Sequence, residues 1–94
     1  MKTANIGPTG ASAALATKAV TLHGVHWVGQ AAGVGTLTFR DALTPTATTS
    51  KLTINTPNTT VGGFVPIVGG GMKFGTAISV SKTNAAVTIV YATA

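Results

Sequence analysis

From Lys18 to the end of the chain, apolar side chains return at every second position. After residue 17 no window carries the spacing of three, four and seven that an amphipathic helix needs. Val20, Leu22, Gly24, His26 and Val28 form one alternate set, and Ala19, Thr21, His23, Val25 and Trp27 form the other. Successive side chains of a strand point to opposite faces, so this stretch reads as one long strand. Gly24 marks a place where it bulges or splits.

The same period continues downstream. Residues 34–40 read as a second strand with Leu37 and Phe39 on one face, and residues 51–55 as a third with Leu52 and Ile54 inward. Residues 76–80 carry Ile78 and Val80 inward. Residues 85–92 set Val87, Ile89 and Tyr91 against Thr88 and Val90. Turn signals separate these runs: residues 29–33, the Thr/Pro-rich loop 42–50, Pro57-Asn58, Gly69-Gly70-Gly71 and Lys82-Thr83-Asn84. Residues 60–68 look irregular, and Pro66 lacks a ladder donor, which assigns that segment to a sheet edge or a crossover. The pattern predicts an all-β fold. It is a small β-sandwich of six to seven short antiparallel strands, jelly-roll-like or immunoglobulin-like, over residues 18–94. Residues 1–17 are rich in Ala, Gly, Thr and Pro, with Ile6 and Leu15 as their only larger apolar side chains after Met1. They read as an extended N-terminal arm ordered against a neighbouring subunit, the alternative being a short Ala-rich helix over 11–16 that needs docking to persist.

Composition limits the chemistry. Hydrophobic residues make up 45% of the chain and charged residues 7%, with a mean hydropathy of +0.45. The only acid is Asp41, so paired-carboxylate catalysis and Ca²⁺ or Mg²⁺ sites lack their ligands. There is no Cys for a disulfide or a thiolate metal site. The net charge of +5 comes from Lys2, Lys18, Arg40, Lys51, Lys73 and Lys82, which are never adjacent in sequence. Such scatter reads as solvated lysines that keep a sparsely charged surface soluble. The competing reading is attraction to an acidic protein surface or to packaged nucleic acid. No stretch approaches the roughly 20 apolar residues of a spanning helix, so no membrane is expected. Met1-Lys2 is followed by Thr3, Asn5 and Gly7 where a leader would be apolar, so no secretory signal is expected either.

Individual motifs add little catalytic content. His23 and His26 fall on opposite faces of a regular strand and cannot share a metal without a bulge and a further ligand. Ser12, Ser50, Ser79 and Ser81 lie outside any nucleophile elbow. Gly69-Gly70-Gly71 lacks the Lys and Ser/Thr of a phosphate loop, and Gly33-Val34-Gly35 enters a strand. Asp41 reads as a turn initiator bonded to the backbone of Ala42 or Leu43, with an inter-subunit ion pair as the alternative. Phe39, Phe74 and Tyr91 fall on apolar faces, whereas Trp27 alternates with Thr21 and His23 and is expected to face outward. The chain is therefore expected to be no enzyme and to hold no cofactor or metal.

So few charges leave many outward positions to Thr, Ala, Gly or apolar residues, and a free monomer would expose unusually large apolar patches. The candidate partner contacts are Ile6, Leu15, Trp27, Phe64, Val65, Ile67 and Met72. For Phe64 and Ile67 a second reading stands equally, that they close the end of the sandwich. A homo-oligomer is expected.

At this point the residues show a likeness. Leu22-His23-Gly24-Val25-His26, the run Gly35-Thr36-Leu37-Thr38-Phe39-Arg40-Asp41, residues 51–55, Phe74-Gly75-Thr76 before Ile78-Ser79-Val80, and Val87-Thr88-Ile89-Val90-Tyr91 carry it. Over residues 18–92 the chain resembles small β-sandwich structural proteins of tailed bacteriophages, of the head-decoration or cement type. The resemblance implies a non-enzymatic virion component, made in the host cytoplasm, that binds the major capsid protein or another virion protein and reinforces the head lattice. It carries no functional residue across. The rivals are a tail or fibre-base component and a small β module binding carbohydrate or nucleic acid. Nucleic acid is disfavoured because basic residues and stacking aromatics do not cluster in the sequence.

Overall fold

The computed structural model describes residues 1–7, 10–31, 33–46 and 50–93. The described residues form nine strands. They are β1 (Lys2–Ile6), β2 (Ala13–Ala16), β3 (Val20–Gly29), β4 (Gly35–Arg40), β5 (Leu52–Thr56), β6 (Gly62–Pro66), β7 (Met72–Phe74), β8 (Ile78–Thr83) and β9 (Ala85–Thr93). Two antiparallel sheets pack face to face as a sandwich. One runs β1-β9-β3-β6, with β7 on the same edge of β3, and the other runs β2-β8-β4-β5.

Strand number differs from the six to seven expected, for two reasons. The segment expected as an arm supplies β1 and β2, which pair within the same chain as the outer strands beside β9 and β8. Ala and Thr tolerate extended backbone, and an edge strand needs only one partner, so a segment with little apolar content can still be ordered by its ladder. The segment expected to be irregular, residues 60–68, supplies β6, and residues 72–74, beyond the glycine hinge and not expected as a strand, supply β7. Both lie on the sheet edge, as Pro66 requires. They pair with successive stretches of β3 and are separated by Gly69, Gly70 and Gly71, which all take positive φ.

β3 holds the main departure from simple alternation. Its ladder with β9 shifts register between Leu22 and Gly24, leaving His23 as the extra residue of a bulge. Val20 and Leu22 are buried before the shift and Val25 after it, so the inward set changes phase in mid-strand. Trp27 therefore lies on the inward side, half-buried against the core, and the expectation that it faces outward is corrected.

The core is built from both sheets. Val20, Leu22, Val25, Phe74, Val87 and Ile89 meet Leu37, Phe39, Ile54, Ile78 and Val80, with most of them fully buried. Such a layer supplies the apolar burial that holds a small sandwich together. The β8–β9 corner is tighter than expected. Lys82 and Thr83 remain in β8, and the chain changes sheet through Asn84 alone, at φ 50°. Asn is among the few side chains that tolerate this region.

Candidate functional site

The outer face of the five-stranded sheet is the surface of interest. Beyond the bulge, β3 directs Gly24, His26 and Val28 away from the core. In register beside them stand Ala86, Thr88 and Val90 on β9, Thr3 and Asn5 on β1, and Gly62, Phe64 and Pro66 on β6. Phe64 is 54% exposed, and its ring lies over Gly24, where any Cβ would collide with it. On the opposite side of the same strand pair the Trp27 indole lies over Gly63 in the same way. Each glycine thus makes room for the aromatic ring of the partner strand. Val61 and Val68 flank β6 and are 55% and 84% exposed. Together they form an apolar edge, relieved by the Thr88 hydroxyl paired with Asn5 Oδ1 at 3.0 Å and by the exposed His26.

The residues singled out from sequence fall into separate places. Trp27, Phe64, Val65 and Ile67 come together where β3 meets β6, and the Ile67 N–H donates to the His23 carbonyl at the bulge. Met72 is opposite Leu22 on β7, and Ile6 is opposite Val87 on β1. Leu15 lies on β2 in the other sheet. Ile6, Leu15, Trp27, Val65, Ile67 and Met72 are half-buried and pack against the core, while Phe64 projects. Sequence reasoning did not single out Val61, Val68, Val28 or Val90. The alternation around Thr88 places Val90 outward, but Val28 needed the bulge.

The outer face of the four-stranded sheet is polar and covered by its own chain. Arg40 Nη1 donates to the Pro45 carbonyl at 2.9 Å and to Ser81 Oγ at 2.6 Å. Ser81 also donates to Pro45, and Ser79 Oγ donates to the Thr44 carbonyl at 3.1 Å. Ser12 Oγ accepts from the Lys82 amide at 2.9 Å, and Lys82 Nζ donates to the Gly10 carbonyl at 2.7 Å. Burial lowers the pKa of the Lys82 ammonium.

Asp41 does bond backbone amides, but not those next to it. Its carboxylate accepts from the N–H groups of Gly75 at 3.0 Å, Thr76 at 2.8 Å and Ala77 at 3.3 Å. The Thr76 bond is the main cause that lowers its pKa, with Gly75, Ala77 and the Lys51 charge adding to it against desolvation. The expected local turn is therefore a clamp between the end of β4 and the approach to β8.

His23 sits on the bulge and His26 on the outer face, and among the described residues no three His, Cys, Asp or Glu side chains converge. A shallow groove of about 320 Å³ opens at the end of the sandwich where β2 leads into β3, lined by Leu15, Ala16, Thr17, Lys18, Val20, Tyr91 and Thr93. No family model, curated protein or solved structure matches this chain.

Proposed function

We propose that this chain is a non-enzymatic structural protein of a phage virion, a head-decoration protein that binds the capsid lattice in many copies and reinforces it. The observation that carries the reading is the strand order. With β6 and β7 counted as one interrupted strand along β3, the two sheets run β1-β9-β3-β6/β7 and β2-β8-β4-β5. That is the winding of an eight-stranded jelly roll, in which the chain doubles back so that first pairs with last. Jelly rolls serve viral capsid and lectin domains and cupins. The uncovered apolar edge at Val61, Phe64 and Val68 supports the reading further, because such an edge on a small domain marks an interaction surface. Repetition on a symmetric shell converts modest contacts into avidity.

The test is compositional. Particles purified from a culture that expresses the gene should contain the chain at a copy number that tracks the major capsid protein, and particles lacking it should release their contents at a lower temperature. Particles from the expressing culture that do not contain the chain, or a release temperature that its loss leaves unchanged, overturn the proposal. Phe64 beside His26 and Thr88 favours a second reading, a carbohydrate-binding β module, for which retention on an immobilised polysaccharide through Phe64 is the discriminating result.

A further inference from the structure

Lysines that are scattered along the sequence are gathered by the fold. Lys2 opens β1 opposite Tyr91, and Lys18 precedes β3 in the groove that Tyr91 and Thr93 also line. Lys73 on β7 is opposite Thr21, at the start of β3. Arg40 ends β4 opposite Ser79 at the start of β8, and Lys51 precedes β5 with its amide on the Phe39 carbonyl. Antiparallel pairing brings all of these to one end of the sandwich. Lys82 is the exception, near the other end of β8, with its ammonium on Gly10. The described residues of the turns at that other end, 7, 10–12, 30–31, 33–34, 57–61 and Asn84, include no charged residue.

Several charges at the basic end are already engaged. Arg40 is held by Pro45 and Ser81, the Lys51 ammonium donates to the Lys73 carbonyl and lies 5.2 Å from the Phe74 ring centroid, and the Asp41 carboxylate is taken by backbone amides. Lys2, Lys18 and Lys73 are exposed. Lys18 lines the groove together with Leu15, Val20 and Tyr91, Lys2 is in register with Tyr91, and Lys73 stands on the other side of β3, opposite Thr21.

We infer that this end of the sandwich docks onto an acidic, carboxylate-bearing protein surface that places an apolar side chain in the groove between Lys18 and Tyr91. The inference rests on the reading above that the chain attaches to a larger protein assembly, and names the chemistry of the attachment point. An apolar groove beside Lys18 suits a protein side chain, and Arg40, whose fork would grip phosphate in two places, is turned into its own chain, with Nη1 bonded to Pro45 and Ser81 and Nε buried. Tyr91, the aromatic side chain in the groove, is half-buried and packs against the core, and Phe64 projects from the sheet face and not at this end, so a base would find no freely projecting ring beside the lysines. Exposed rim charges act through rate and salt dependence, and the groove supplies the apolar contact.

The experiment uses the full chain, a poly-L-glutamate peptide and a thymidine oligonucleotide of equal length at matched ionic strength. The peptide should bind more tightly. A K2Q/K18Q/K73Q variant should bind it at least about tenfold more weakly while melting at the parental temperature. K82Q should bind as the parent does. Tighter binding of the oligonucleotide, an equal loss in K82Q, or no binding of either probe overturns the inference. Lysine-reactive labelling of particles that carry the chain separates the two proposals. Protected Lys2, Lys18 and Lys73 support docking through this end. Reactive ones on a chain-bearing particle overturn it while leaving the virion reading intact. Lysine-dependent peptide binding by a chain that is absent from particles supports the inference and overturns the virion reading.

Discussion

The two outer faces of the sandwich share a pleat and differ in how far the chain covers them. On the four-stranded sheet, Arg40, Ser79 and Ser81 bind the carbonyls of Thr44 and Pro45, and Asp41 clamps the residues before β8. On the five-stranded sheet, Phe64 and its neighbours Val61 and Val68 stand open. The first face spends its polar groups on its own loop. The second pairs polar groups between its own strands, as Thr88 with Asn5, and leaves the β6 edge exposed. Other exposed apolar side chains, Val34 and Leu43, stand singly before β4 and in the loop after it, whereas Val61, Phe64 and Val68 gather along β6, where a partner can cover them.

The contrast supposes a common core beneath both faces. Phe39→Ala tests that most severely. Removing a fully buried ring should cost about 3–5 kcal/mol, and fluorescence and circular dichroism should report one shared transition in denaturant. Separate transitions would show that the two sheets are independent units and break the comparison.

Gly63→Ala sharpens it from the side of the five-stranded sheet. The new methyl collides with the Trp27 indole, so a loss of about 1–3 kcal/mol and an altered Trp emission are expected. A parental melting curve would show that the ring has room to move.

Asp41→Asn probes the covered face and should cost about 1–2 kcal/mol. The folded pKa of Asp41 is lowered, so its contribution is present above the unfolded value near 3.9 and disappears as pH falls through the folded value. The melting difference between parent and variant should therefore be full at neutral pH and vanish in strong acid. A difference that does not change with pH would remove the charged clamp from the account.

Phe64→Ser should have the smallest effect on stability, within about 0.5 kcal/mol, because the ring is more than half exposed. Its attachment to particles should weaken by about tenfold if the open face contributes to binding. A large loss of stability with no loss of attachment would make Phe64 a structural residue and erase the contrast.

Much of the sandwich is legible residue by residue. Leu37 and Phe39, Ile54, Ile78 and Val80, and Val87 and Ile89 alternate in sequence and are buried in the structure. The edge position of Pro66 follows from its missing donor. Trp27 was not legible, because a bulge at His23 reverses the inward set and alternation has no record of an inserted residue. The clamp at Asp41 escaped for another reason, since its amides lie more than thirty positions downstream.

By itself the sequence determined that this chain forms strands, and for most of them which side turns inward, because side-chain period is a property of neighbouring residues. Tertiary structure alone decided what pairs with what. It drew residues 2–6 and 13–16 onto β9 and β8, and it brought lysines from distant strands to one end. Those outcomes depend on register between segments far apart in sequence, and register is set by the packing of the whole core and not by any one strand.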